Sequence, residues 1–176
     1  MPRCKCCKDK FDVKYFNQKY CMVHDSCISE HVQYSKEQKL KTWNKKKKVI
    51  KEKLKTNKDY LKELQVVFNT YIRTRDKDKG CISCGKPLIG KFDAGHFYSV
   101  GSTPTLRFNE DNVHGQCVYC NQHLHANIHA YTERLPARIG KESFDNLKSL
   151  RNGLNKYGNE ELKEMKQHYK QKTKEL

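Results

Sequence analysis

The chain has 176 residues, with 36 Lys and Arg against 20 Asp and Glu, a formal charge of +16 and a pI near 9.4. A mean hydropathy of -0.98 excludes a large oily interior, and no apolar run approaches the roughly 18–20 residues that cross a bilayer. So basic a balance favours a polyanionic partner, since clustered Lys and Arg displace counterions from phosphates, although Lys-rich surfaces also serve solubility. The N-terminus opens with Met1, Pro2, Arg3 and Cys4 and has no apolar export core, so a reducing cytoplasm and nine reduced cysteines are expected. Nine is two sets of four with one left over.

Residues 1–35 read as a Cys-rich, zinc-binding unit with Cys4-x2-Cys7, Cys21 and Cys27 as a ligand set and Cys6 as the odd thiol. Five residues separate Cys21 from Cys27, more than the usual two to four, so His24 stands as a substitute for Cys27. Residues 36–58 form a basic arm. Its apolar positions Leu40, Trp43, Ile50 and Leu54, with Lys47 between them, follow the 3-4-3-4 spacing of a helix with one narrow stripe. Lys45, Lys46, Lys47 and Lys48 on this arm either grip a phosphate backbone or belong to a solvated linker.

A central domain is assigned to residues 59–152 and a C-terminal helical segment to 153–176. Thr56 or Asn57 caps a helix with Tyr60, Leu61, Leu64, Val67, Phe68, Tyr71 and Ile72 on its apolar face. The stretch RTRDKDKG (73–80) is charged and breaks at Gly80, a natural entry into a new module. From 81 to 122, short stretches between Gly and Pro suit hairpins and loops. A short helix is predicted after Cys120, then one carrying Phe144, Leu147 and Leu150. The last is capped by Asn159 and places Leu162, Met165 and Tyr169 on one side, with the final KQKTKEL frayed.

The strongest chemical signal is Cys81-x2-Cys84 followed, after 32 residues, by Cys117-x2-Cys120. Four thiolates close a tetrahedral shell with no open position, which describes structural zinc and not a catalytic metal. Five of the eight histidines fall between His96 and His129, inside or just beyond that loop. Phosphodiester hydrolysis needs a base to activate water and a cation to stabilise the charged phosphate, and a neutral imidazole suits the first task. Oxygen ligands suit Mg²⁺, whereas Mn²⁺ tolerates imidazole. Arg107, Arg134 and Arg138, close to these histidines, are candidates for specific phosphate contacts. His114 is a ligand, a phosphate contact or a packed loop residue, and His24, His31 and His168 have mostly surface readings.

The stretch CISCG…DAGHF…LRFNEDNVHGQCVYCNQH resembles the NinG (Rap) recombination endonucleases of lambda-like phages, and more broadly the HNH, or ββα-metal, nucleases with a four-cysteine zinc. The likeness runs from about Tyr60 to Leu150 and takes in Cys7-x3-Phe11 and Tyr20-Cys21 weakly. It implies His96 as the general base, Asn112 as the residue that organises the intervening loop, and Asn121 as a metal ligand in an HNN variant. Where related nucleases carry a second metal ligand, directly before the base, this chain has Gly95. The nearest carboxylate is Asp93, three residues from His96 and so on the opposite face of a regular strand. A turn or bulge at Gly95 would be needed to bring them together; otherwise Asp93 is a turn-capping residue. His123 and His125 are reserve ligands, His125 lying four residues from Asn121 on one face of a helix.

These readings predict an α+β fold: a small zinc-stapled ββα-metal (HNH-like) core with flanking helices and an N-terminal zinc knuckle. One or two structural Zn ions and a catalytic Mg or Mn are expected. The resemblance implies a divalent-metal-dependent endonuclease of branched DNA, such as D-loops or Holliday-type junctions, in phage recombination within the host cytoplasm. Recombination proteins are candidate partners, and a homodimer would suit paired nicks. Two rivals are a non-catalytic zinc-containing accessory protein that binds nucleic acid, and an HNH endonuclease of linear duplex DNA.

Overall fold

The computed structural model describes residues 1–153 and 156–176 and divides into two compact units, Met1–Lys55 and Thr56–Leu176. Residues 154 and 155, in the predicted C-terminal segment, lie outside the described residues. The first unit begins with irregular chain folded over a very small core of Cys4, Phe11, Tyr20, Cys21 and Cys27. Helix α1 follows, Asp25–Lys53, starting well ahead of the arm on which the stripe predicts it. Its first part belongs to the cysteine core, with Cys27 buried and the His31 and Tyr34 rings against Tyr20, and the length beyond Tyr34, roughly 28 Å of helix, has no buried side chain. Asp25 in the first turn and Lys51 and Lys53 in the last complement the helix dipole.

In the second unit, Thr56 caps helix α2, Asn57–Asp76, and forms a reciprocal capping box with Asp59. Its residues Tyr60, Leu64, Phe68, Tyr71 and Ile72 are buried. They pack against Leu162 and Tyr169 of the last helix, Asn159–Lys174, and against Phe108 and Val113. That last helix is capped at Gly158, not Asn159: Glu161 accepts the Gly158 N–H, while the Asn159 amide oxygen accepts from Asn57 Nδ2. It stays helical to Lys174 where fraying is expected, partly because Lys172 pairs with Glu110 at 2.6 Å.

Beside α2 lies an antiparallel hairpin, β1 Phe92–His96 and β2 Val113–Cys117, in continuous register from Phe92↔Cys117 to His96↔Val113. A second core joins Ile82, Leu106, Tyr131, Leu135, Phe144 and Leu147. It uses helices α3, Ile128–Ile139, and α4, Lys141–Ser149; in this numbering the last helix is α5. The molecule is thus α+β. No helix among the described residues is long and apolar enough to cross a membrane.

One further local expectation is overturned. The short helix expected after Cys120 is a π-helical turn, Tyr119–His123. His125, Ala126 and Asn127 then take left-handed φ values of 47, 70 and 42°, so Asn121 and His125 do not share one helical face. Within the charged stretch 73–80, α2 continues through Asp76, which is fully buried, and the chain breaks at Gly80, whose φ is +73°.

Candidate metal centres and nucleic-acid site

Both cysteine sets converge. In each of Cys4–Cys7–Cys21–Cys27 and Cys81–Cys84–Cys117–Cys120 the four sulfurs lie within 4.8 Å of one another. Tetrahedral zinc with Zn–S bonds near 2.3 Å requires sulfurs about 3.8 Å apart. The Cys4–Cys27, Cys7–Cys21 and Cys84–Cys117 pairs lie at 3.7, 3.8 and 3.9 Å, far outside disulfide length and fitting zinc. Cys6 stays outside the first set, and His24 Nδ1 lies 3.8 Å from both the Cys21 and the Cys27 sulfur, at the edge of the set. Burial pushes the Cys81 thiol up, but backbone N–H groups of Cys84, Cys117 and Ser83 outweigh it and hold it at about 7, close to thiolate at neutral pH. The second knuckle also anchors the left-handed turn, through Asn127 Nδ2 donating to Cys120 Sγ at 3.7 Å.

Asn112 is fully buried and ties together the loop that joins the two strands. Its Oδ1 accepts from Tyr98 N at 2.8 Å, and its Nδ2 donates to the Tyr98 and Leu106 carbonyls at 3.0 Å each. At the loop's start, His96 Nε2 lies 3.0 Å from the Arg107 carbonyl. A carbonyl only accepts, so the proton sits on Nε2 and the lone pair on Nδ1. Burial, reinforced by the Arg107 charge, depresses the His96 pKa, which keeps the ring neutral at physiological pH. Arg107 is fixed in turn by its Nε donating to Gln65 Oε1 at 2.8 Å.

The hairpin's continuous register places Phe92, Ala94 and His96 on the face that packs toward α2, and Asp93 and Gly95 on the other. No bulge at Gly95 reverses this. Asp93 meets Asn121 and Gln122, whose side-chain amides donate to its Oδ2 at 2.9 and 2.8 Å. The structure therefore brings Asp93 and Asn121 together and leaves His96 on the opposite face. His123 and His125 are exposed; His123 lies against the Tyr119 ring. Among the described residues, no group of three His, Cys, Asp or Glu ligands converges near Asp93. What this chain offers a hard cation there is one carboxylate and, with its amide turned, the Asn121 oxygen.

A surface cleft of about 590 Å³ opens beside Asp93, and Arg73, Lys77 and Lys91 line it. These three cations were not singled out in the sequence, and neither were Gln65, Gln116 or Asp76. Asp76 had a signal: Tyr60, Leu64, Phe68, Ile72 and Asp76 recur every four residues, so the carboxylate sits on α2's buried row. There it takes two bonds from Arg75 at 2.8 Å and the Gly115 N–H at 2.8 Å. Gln116 is fully buried and donates to Ser83 Oγ at 2.6 Å and to the Ala126 carbonyl, bracing the left-handed turn. His114 is packed, 3.2 Å from Tyr131 Oη, which donates to the Gly95 carbonyl at 3.1 Å. Arg134 is exposed beside Gly85. Arg138 donates to the Lys79 and Gly80 carbonyls at 2.9 and 3.3 Å. Lys45 to Lys48 are all exposed on α1.

A family model described as "Bacteriophage Lambda NinG protein" matches residues 1–176. "Protein ninG" of Escherichia phage 933W is 35% identical over 192 residues, covering 99% of this chain and 92% of the relative. "Protein ninG" of Escherichia phage lambda is 43% identical over 129 residues, 73% of this chain and 63% of the relative. The same-named protein of Salmonella phage P22 is 40% identical over a match of the same length and coverage. No solved structure matches the chain.

Proposed function

The chain belongs to the NinG family of lambda-like phages, and from that premise we propose that it is a divalent-metal-dependent endonuclease acting on DNA in phage recombination, in the host cytoplasm. The observation that carries the reading is the Asp93–Asn121 pair beside a cleft lined by Arg73, Lys77 and Lys91. An oxygen-donor pair next to clustered cations suits a phosphodiester and a hard cation together. The cations orient the phosphate backbone, and Asp93 with Asn121 would hold Mg²⁺ or Mn²⁺. The cation would supply stabilisation of the charge on the phosphate and the leaving 3′ oxygen. His96, neutral and with its Nδ1 lone pair available, takes the proton of the attacking water, leaving 5′-phosphate and 3′-hydroxyl ends. Arg107, fixed beside His96, contacts the same strand. Preference for branched DNA, recombination-protein partners and a dimer that places paired nicks are parts of this proposal inherited from the family resemblance.

One observation favours a second reading. Asp93 and His96 lie on opposite faces of β1 and about 10 Å apart along it, so a single phosphate meets both only across the strand. A zinc-bearing accessory protein that binds nucleic acid without cutting it needs no such convergence. Incubation with Mg²⁺ or Mn²⁺ and matched branched and linear DNAs separates the readings. The nuclease cuts branched DNA, and both Asp93→Ala and His96→Ala lose at least about a hundredfold in rate with zinc content and DNA affinity retained. No cutting by the unaltered protein establishes the binding module. Equal cutting of both DNAs makes it a nuclease of linear duplex, and undiminished cutting by H96A removes His96 from the mechanism.

A further inference from the structure

Helix α1 and the Leu54 that caps its end carry an exposed apolar seam: Leu40, Trp43, Ile50 and Leu54 are 58, 59, 53 and 74% exposed. Written as a heptad with Leu40 at position a, the seam places Leu40, Lys47 and Leu54 at a and Trp43 and Ile50 at d. Lys39, Lys46 and Lys53 then recur every seven residues at g, all exposed, and Lys51 occupies e. Apolar side chains at this spacing, edged by a regular row of one charge, are the two components that a coiled-coil strand uses for affinity and partner choice.

The charges decide among occupants. A second copy in parallel would set Lys46 against Lys51 of the other chain, and an antiparallel copy would set the two g rows of Lys against each other. Duplex DNA satisfies the Lys row but offers the Leu and Ile side chains no apolar surface. We propose that α1 docks an acidic amphipathic helix of a partner protein, with aliphatic residues at a and d and Glu at e and g. Lys47, a charge at a core position, fixes its register. Lys41, Lys45 and Lys48 lie on the opposite side of the helix and stay accessible to phosphates.

Trp43 is the chain's only tryptophan, so its emission reports cover at the seam directly. The full-length zinc-loaded protein is titrated with a synthetic three-heptad peptide bearing Leu at a and d and Glu at e and g. Controls are a scrambled peptide of the same composition, a Lys-flanked version and duplex DNA. The expected result is a saturable shift of Trp43 emission to shorter wavelength with the acidic heptad peptide alone, lost in Leu40→Ser/Ile50→Ser. The triple change Lys39→Glu, Lys46→Glu, Lys53→Glu should switch preference to the Lys-flanked peptide by roughly tenfold in Kd. The proposal is overturned by an absent shift, by an equal shift with the scrambled peptide, or by an equal shift with DNA. It is also overturned if Trp43 already emits as a buried indole in the free protein. None of these outcomes depends on whether the protein cuts DNA.

Discussion

The interior of the second unit is held by polar groups whose protonation is set by their surroundings, and His114 is the clearest. Burial, with Arg75 nearby, pushes its pKa down to about 3, against 6.5 for an exposed imidazole. A group depressed on folding binds protons better when unfolded. Its contribution is therefore complete above pH 6.5 and is lost as pH falls toward 3. Asp76, held at about 2 by Arg75 despite its burial, adds a further loss below about pH 4. We expect urea unfolding at saturating zinc to show stability falling below pH 6.5. In His114→Gln the dependence should weaken by up to about 1.4 kcal/mol per pH unit, the value for one proton. An unaltered pH dependence in the variant would remove His114 as its source. Asn112→Ala should cost about 3 kcal/mol, since it orphans the Tyr98 N–H and the Tyr98 and Leu106 carbonyls. Equilibrium unfolding measures that loss, and limited proteolysis should find the 97–111 loop newly cleavable.

Elements with a strong period were legible in the sequence; those set by single residues were not. The α2 row and the Leu162–Met165–Tyr169 face follow from spacing alone, because a helix buries residues every three or four positions. The hairpin was legible only as punctuation, since two five-residue strands containing Gly95 and Gly115 carry no alternating pattern. Strand parity correctly warns that Asp93 and His96 face opposite ways. The left-handed turn at 125–127 has no sequence signal, because His and Ala there are held by Gln116, Ser83 and the knuckle, not by their own preferences. The cysteine spacings were legible because metal geometry dictates them. They lead to a count: metal analysis should find two zinc ions per chain, two in Cys6→Ser and one in Cys7→Ser. Chelation should expose the hairpin amides to hydrogen exchange, since Cys81 and Cys120 lie in a core whose other members are only Leu88 and partly buried Cys84, Phe92 and Cys117. Two zinc ions retained in C7S would assign that ligand position to another residue.

Across the whole chain, positive charge is divided between two differently built surfaces. Residues 1–55 carry sixteen Lys and Arg against six acidic residues, most of the cations on the exposed length of α1. The second unit has a smaller excess but gathers Arg73, Lys77 and Lys91 in one cleft next to Asp93. A flexible row of Lys on a helix contributes through counterion release, which depends on salt and hardly on where the phosphate sits. A cleft beside the candidate cation pair acts through position, which a rate detects more sharply than an affinity does. Changing Lys45, Lys46, Lys47 and Lys48 to Gln should therefore flatten the plot of log affinity against log salt by up to about 3.6 units, at about 0.9 per phosphate contact, with cutting at saturating DNA unchanged. Changing Arg73 and Lys91 to Gln should lower that slope by less than about 2 units while cutting at saturation falls. An unchanged slope in the first variant would make α1 a spacer for DNA binding and leave its seam as the helix's sole interaction surface. Full cutting by the second would move the phosphate path away from Asp93.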